Sequence, residues 1–254
     1  MSAREEPFFV GYLPPPKGLR GFTLLVSIVI FALFFAAGFL MGGTQDAPED
    51  TGIRFNLGRQ EVTGVVELTP YPILRVTDGN ELLPAGRTLM MTAAGKSGVD
   101  MRAMGLEGRL AQISGIPLQR GTIDMIQLRG GRNGIAEIEG EAPSLPVEQL
   151  GRWRLAGEIC DGKCLYGAMR PGRGLAHKAC ANLCIIGDVP PVFVSTQPVE
   201  GAEFLLITGP DGTRMPPEAY DFVAQYVHVE GEIERRGDLL ILRMDPTTLA
   251  VVEE

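Results

Sequence analysis

Histidine and tryptophan are almost missing from this 254-residue sequence, which holds two of the first and one of the second. Cysteine is absent outside one stretch of 25 residues, "CDGKCLYGAMRPGRGLAHKACANLC", from Cys160 to Cys184. These shortages exclude several chemistries. There is no G-x-S-x-G elbow, and His228 in "YVHVEGEI" reads as a strand residue, so a Ser-His-Asp hydrolase has no foundation. The C-x2-C-H of covalently held haem and the C-x2-C of zinc knuckles are both missing, and only His177 is placed to serve a Rieske-type pair. "RPGRG" (Arg170–Gly174) lacks the Gly-Lys-Ser/Thr end of a phosphate loop. Positive charge is also short. Lys and Arg number 23 against 31 Asp and Glu. Phosphate backbones require a basic footprint, so nucleic acid is not an expected partner. Nothing in these residues predicts an enzyme.

What is present begins with a membrane signal. Phe22–Met41, "FTLLVSIVIFALFFAAGFLM", runs without a charge. A helix of that length covers roughly 30 Å, the hydrocarbon thickness of a bilayer. It exceeds the apolar stretch of about 7–15 residues in a cleaved signal peptide, so residues 22–43 are expected to be a transmembrane anchor. Lys17 and Arg20 precede it, whereas Asp46, Glu49 and Asp50 follow. Cytoplasmic flanks favour Lys and Arg, so residues 1–21 form a cytoplasmic tail and residues 44–254 lie outside. The expected location is a bacterial inner membrane, with a single pass and the C-terminal part in the periplasm. In the tail, Pro14–Pro16 predict a polyproline II segment, and Phe8, Phe9 and Tyr12 suit the headgroup level.

Thirty-three glycines and nineteen prolines favour turns and short strands over helices in the outer part. The strand signal occurs twice in one order. The first copy has Glu61–Leu68, Arg87–Ala93, Leu106–Ile113 and Thr122–Arg129; the second has Arg154–Asp161, Glu203–Gly209, Val227–Arg235 and Asp238–Asp245. Glycines in "LEG" (Gly108) and "VEG" (Gly231) would allow the bend of a small barrel strand. The predicted fold is mainly β: after the anchor come two OB-like barrel modules. Residues 44–57 form a linker, 58–141 the first module, 142–152 a second linker, and 153–254 the second module with a cysteine insertion at 160–190. Trp153 and the methionines Met90, Met91, Met101 and Met104 are read as core.

In the insertion, "GLAHKACANLC" predicts a short helix with His177, Cys180 and Cys184 on one face. Exported paired cysteines tend to oxidise. A Cys180–Cys184 bond inside a helix is strained, so the preferred expectation pairs Cys160 and Cys164 with Cys180 and Cys184, connectivity open, with no cofactor. The alternative makes Cys160, Cys164, His177, Cys180 and Cys184 ligands of zinc, copper or an iron–sulfur cluster, or redox thiols. Lys163, Arg170, Arg173 and Lys178 form a basic stretch in an acidic domain, expected to meet an acidic partner surface.

Gly157-Glu158, Asp161, Cys164, His177, Cys180, Cys184, Gly187 and Pro190 give a pattern Gly-Glu-x-x-Asp, Cys, His-x-x-Cys-x-x-x-Cys, Gly-x-x-Pro. In this the second module resembles a family of small exported bacterial proteins with OB-like folds. The anchored two-module form resembles accessory proteins of proteobacterial respiratory or molybdenum-oxidoreductase systems. That resemblance implies a non-catalytic accessory or scaffold subunit of a membrane electron-transfer complex, with the bilayer and other subunits of the complex as partners.

Overall fold

Twenty uncharged residues dictate the first element. In the computed structural model, which describes residues 17–44 and 52–252, helix α1 (Arg20–Thr44) follows a 3-10 turn at Lys17–Leu19. None of its side chains is buried against protein. It is long and apolar enough to span a membrane. The expectations placed on Phe8, Phe9, Tyr12, Pro14–Pro16, Asp46, Glu49 and Asp50 lie outside the described residues. The chain divides into two units, Met1–Glu49 and Asp50–Glu254.

The second unit is mainly β. Strands β1 (Gln60–Glu67), β2 (Ile73–Asp78), β3 (Thr88–Thr92), β4 (Leu110–Arg120) and β5 (Ile123–Leu128) pair in the order β1-β2-β3-β5-β4, and β4 also pairs with β1. Helix α2 (Asp100–Ala103) precedes β4, and β6 (Ile135–Glu137) adds to its edge. Strands β7 (Val147–Asp161), β8 (Pro191–Val199), β9 (Ala202–Thr208), β10 (Tyr226–Arg236) and β11 (Leu239–Val251) form a closed barrel in the order β7-β8-β9-β11-β10. Among these pairs only β3–β5 and β9–β11 are parallel. The two sets of five therefore share one pairing order, strand for strand.

Equivalent glycines sit at equivalent places. A Cβ on Gly64 (β1), Gly157 (β7), Gly115 (β4) or Gly231 (β10) would collide with a carbonyl of the adjacent strand, so each close approach requires glycine. Gly231 meets its expectation. Gly108 does not: it occupies a turn before β4 at φ 68°, and Gly115 takes the strand role. Alternation along β10 sends Val227, Val229 and Ile233 into the barrel, and Trp153 packs against the same core. Met90 and Met91 are fully buried, but Met101 and Met104 are 80% and 70% exposed, so they do not fill the core.

A third apolar cluster lies between the two strand sets. It joins Tyr71, Ile73, Met90, Leu118 and Met125 to Cys160, Leu165, Tyr166, Val192, Leu206 and Ile241. Polar ties surround it: Arg236 pairs with Glu67 at 2.8 Å, and the Asp238 carboxylate accepts the Thr88 N–H at 2.7 Å. The segment linking β1 to β2 is short, whereas the one linking β7 to β8 spans residues 162–190. Cys160 belongs to β7; the other three cysteines belong to this long connection.

Candidate functional site

The long connection is organised by one carboxylate. Asp161 ends β7, fully buried; it accepts the Cys164 N–H at 2.8 Å and faces His177 Nε2 at 3.0 Å. It thus ties the start of the connection, a π-helical turn at Cys164–Ala168, to a 3-10 turn at Leu175–His177. Helix α3 (Lys178–Ile186) follows, as its sequence predicted, and presents Cys180 and Cys184 toward Cys164. Glu158 fixes the middle of the loop by accepting the Gly174 N–H at 2.5 Å and pairing with Arg173 at 3.5 Å.

The Cys164 sulfur stands 4.0 Å from that of Cys180 and 3.9 Å from that of Cys184, and all three sulfurs lie within 4.8 Å of one another. All four cysteines are free thiols, so the cross-paired disulfides expected from the sequence are not formed in this structure. For Cys160 the reason is the strand period. Ile159 faces the barrel interior, so Cys160 faces the opposite way, into the cluster between the strand sets, where its thiol donates to Glu158 at 3.3 Å. Burial raises its pKa well above the ordinary thiol value. It is not part of the sulfur group. His177 is paired with Asp161, and with Cys164 these two form a second set of possible ligands within 4.8 Å.

Two lysines flank the sulfurs. Lys96, from the loop after β3, donates to Cys180 Sγ at 2.6 Å and lies 3.7 Å from Cys184 Sγ; the first contact raises its pKa. Lys163 is buried, donates to the Ala93 and Gly95 carbonyls at 2.6 and 2.8 Å, and has its pKa lowered by burial. Within the Cys164–Cys184 pair the shared hydrogen bond raises Cys164 and lowers Cys184, so Cys184 is the more readily ionised. Met169 supplies a fourth sulfur, 3.2 Å from Cys180 Sγ. A cleft of about 430 Å³, lined in part by Ile53, Phe55, Lys96, Lys163 and Met169, opens onto Cys164 and Cys184.

Of the four basic residues expected to meet a partner, one is buried, one is half-buried and two are exposed. Lys163 is buried as described, Lys178 donates to the Asp221 carbonyl at 2.5 Å, and Arg173 pairs with Glu158; only Arg170 and Arg173 of the four present exposed side chains. Met169 was within sight in the sequence, lying among the cysteines. Lys96 was not, because nothing local links it to residues more than sixty positions away.

Three sulfurs about 2.3 Å from one ion stand about 3.8 Å apart in a tetrahedral set and about 4.0 Å apart in a trigonal plane. The two spacings from Cys164, 4.0 and 3.9 Å, match ligands of a single ion. Sulfurs on separate irons of a cluster stand farther apart, so the spacing does not suit an iron–sulfur cluster. Fold and site together define a mainly β chain with an apolar N-terminal helix and a three-thiol group beside a buried Asp–His pair. No protein family, curated protein or solved structure matches the chain.

Proposed function

We propose that this chain is a single-pass accessory protein of the bacterial inner membrane that holds one soft metal ion on Cys164, Cys180 and Cys184. In this reading the N-terminus is cytoplasmic, and the periplasmic part comprises two OB-like modules, the second carrying the cysteine connection. The identical pairing order of the two strand sets and the four matched glycines support the two-module description. The observation that carries the metal reading is the sulfur spacing of 3.9–4.0 Å from Cys164 to both partners, which fits ligands of one ion. Asp161 and His177 would position the ligand segment from behind.

A second reading is favoured by Lys96. Its ammonium donates to Cys180 Sγ at 2.6 Å, and the Cys164 sulfur lies 3.9–4.0 Å from both helix cysteines. The group would then be a redox dithiol serving a membrane electron-transfer complex. Metal analysis with a free-thiol count on the detergent-solubilised full chain, purified without oxygen, separates the two. The metal reading predicts one ion per chain, lost in Cys184→Ser. A metal-free chain with Cys164 mapped in a disulfide would overturn it in favour of the second.

A further inference from the structure

A cleft of about 300 Å³ opens on the outer face of β7, β8 and β10, and none of the sulfur residues lines it. Alternation along β7 turns Leu155 and Ile159 into the barrel and leaves Arg154, Ala156 and Glu158 outside. Ala156, the smallest of the three, makes the hollow between them. Both walls are places where the sheet loses its register. β8 and β9 slip between Val194 and Val199, on either side of Thr196, and β10 and β11 slip between His228 and Glu230. Interruptions of this kind re-aim side chains. Independently of the metal reading, we propose that this cleft binds a phosphate group through Arg154, Tyr226 and His228.

The first ground is an arginine without its expected partner. In register Arg154 stands opposite Glu230 of β10, the carboxylate that a cross-strand ion pair would use. Arg152 holds Glu230 instead, at 3.0 Å, and also reaches Asp245 at 3.4 Å. Glu232 stands opposite Arg152, and Glu158 pairs with Arg173 while accepting the Gly174 N–H. The neighbouring acids are therefore directed elsewhere, and the cleft itself has no acidic side chain in its lining. Among the described residues, no side chain pairs with Arg154.

The second ground is the number and kind of donors. Arg154 offers a planar fork of N–H groups, the geometry that takes an oxyanion by two bonds. The Tyr226 hydroxyl has only a long contact of 3.5 Å with Thr196 Oγ1, whose own proton goes to the Ala156 carbonyl at 2.9 Å. His228, opposite Ala156 in register, has no side-chain partner among the described residues and brings a ring N–H. Both oxygens of a carboxylate would be filled by the guanidinium alone. A phosphate group has further acceptor oxygens, and these give the phenol and the imidazole something to bind.

The test uses the scarcity of histidine. The full chain, with isotope-labelled histidine and in a phosphate-free detergent, has two imidazole rings to observe by NMR, and His228→Asn identifies one of them. Inorganic phosphate, added at constant pH and ionic strength, should shift the His228 signal saturably and leave that of the buried His177 in place. Arg154→Gln, at an exposed position, should weaken phosphate by roughly tenfold to a hundredfold, the worth of a charge-assisted hydrogen bond. Glycerol 3-phosphate and glycerophosphoglycerol, added in turn, separate a phosphate monoester from a lipid-type diester, since the natural source should bind more tightly than inorganic phosphate. Acetate binding as tightly as phosphate, an Arg154→Gln variant with unaltered phosphate affinity, or a His228 signal that no anion moves overturns the assignment.

Discussion

Asp161 is the residue on which the site depends most, and its carboxylate also faces the Cys164 and Cys184 thiols. Its two oxygens take the Cys164 N–H and the His177 ring, and it is fully buried. Asparagine keeps the shape but replaces one acceptor with a donor, so the new N–H either meets the Cys164 N–H or forces the His177 ring into the tautomer that presents Nε2 as an acceptor. Asp161→Asn should therefore fold with a loss of about 1–3 kcal/mol, the cost of a buried unsatisfied group. Ion affinity should fall by roughly tenfold to a hundredfold. Cys160→Ala is the contrast: it removes a buried thiol that belongs to the packing between strand sets, so it should lower stability and leave ion uptake intact. Chemical denaturation and ion titration of the two variants check both statements, and equal loss of metal in each would contradict the geometry. The sequence could show that cysteines and His177 cluster, because they fall within 25 residues. It could not show that Cys160 stands apart, because that follows from which face of β7 meets the other strand set.

Among the elements, α3 and the loop after β3 form the joint that brings Lys96 to the sulfurs. The Gly98 N–H donates to the Gly187 carbonyl at 2.7 Å, and a Cβ on Gly187 would run into the Lys96 carbonyl. Gly187 has a φ of −82°, which alanine adopts freely, so the effect of Gly187→Ala is steric alone. It should cost about 1–3 kcal/mol as an overpacked contact and withdraw Lys96 from Cys180. A thermal melt reads the first effect. The second is read as weaker ion binding that Lys96→Gln reproduces; if Lys96→Gln binds the ion as the parent does, the lysine has no part in the site. Most strands of both sets were legible as short apolar runs between turn residues, and α1 as an uncharged run. β2 was not: Ile73–Asp78 follows Pro70 and Pro72 and is buried on both faces along its first four residues, so it has no alternation to mark it. The bend glycine of β4 was likewise misplaced at Gly108, since only pairing with β5 reveals the close approach at Gly115.

At the scale of the whole second unit, the two strand sets are joined by an apolar cluster as well buried as either interior. A shared core of this kind couples them, so they should unfold in one transition rather than two. Tyr71 reports on that joint. It is 2% exposed within the shared cluster, its hydroxyl accepts the Met215 N–H at 3.2 Å, and Arg214 lies 4.8 Å from its ring centre. Burial pushes its pKa from 10 up to about 12. The folded chain therefore keeps the phenol protonated where the unfolded chain has lost the proton. The resulting stability is fully present below pH 10 and is lost as pH rises through 12, amounting to about 3 kcal/mol. Tyr71→Phe removes that dependence, at a cost of about 1 kcal/mol at neutral pH for the Met215 N–H left without its acceptor. Denaturation curves of parent and variant between pH 9 and 12, followed by Trp153 fluorescence for the barrel and by a probe on the first strand set, test both parts. The parent should lose stability more steeply than Tyr71→Phe across this range, with the two probes moving together. Parallel pH profiles would remove Tyr71 as the titrating group, and separated midpoints would show that the joint does not couple the two strand sets.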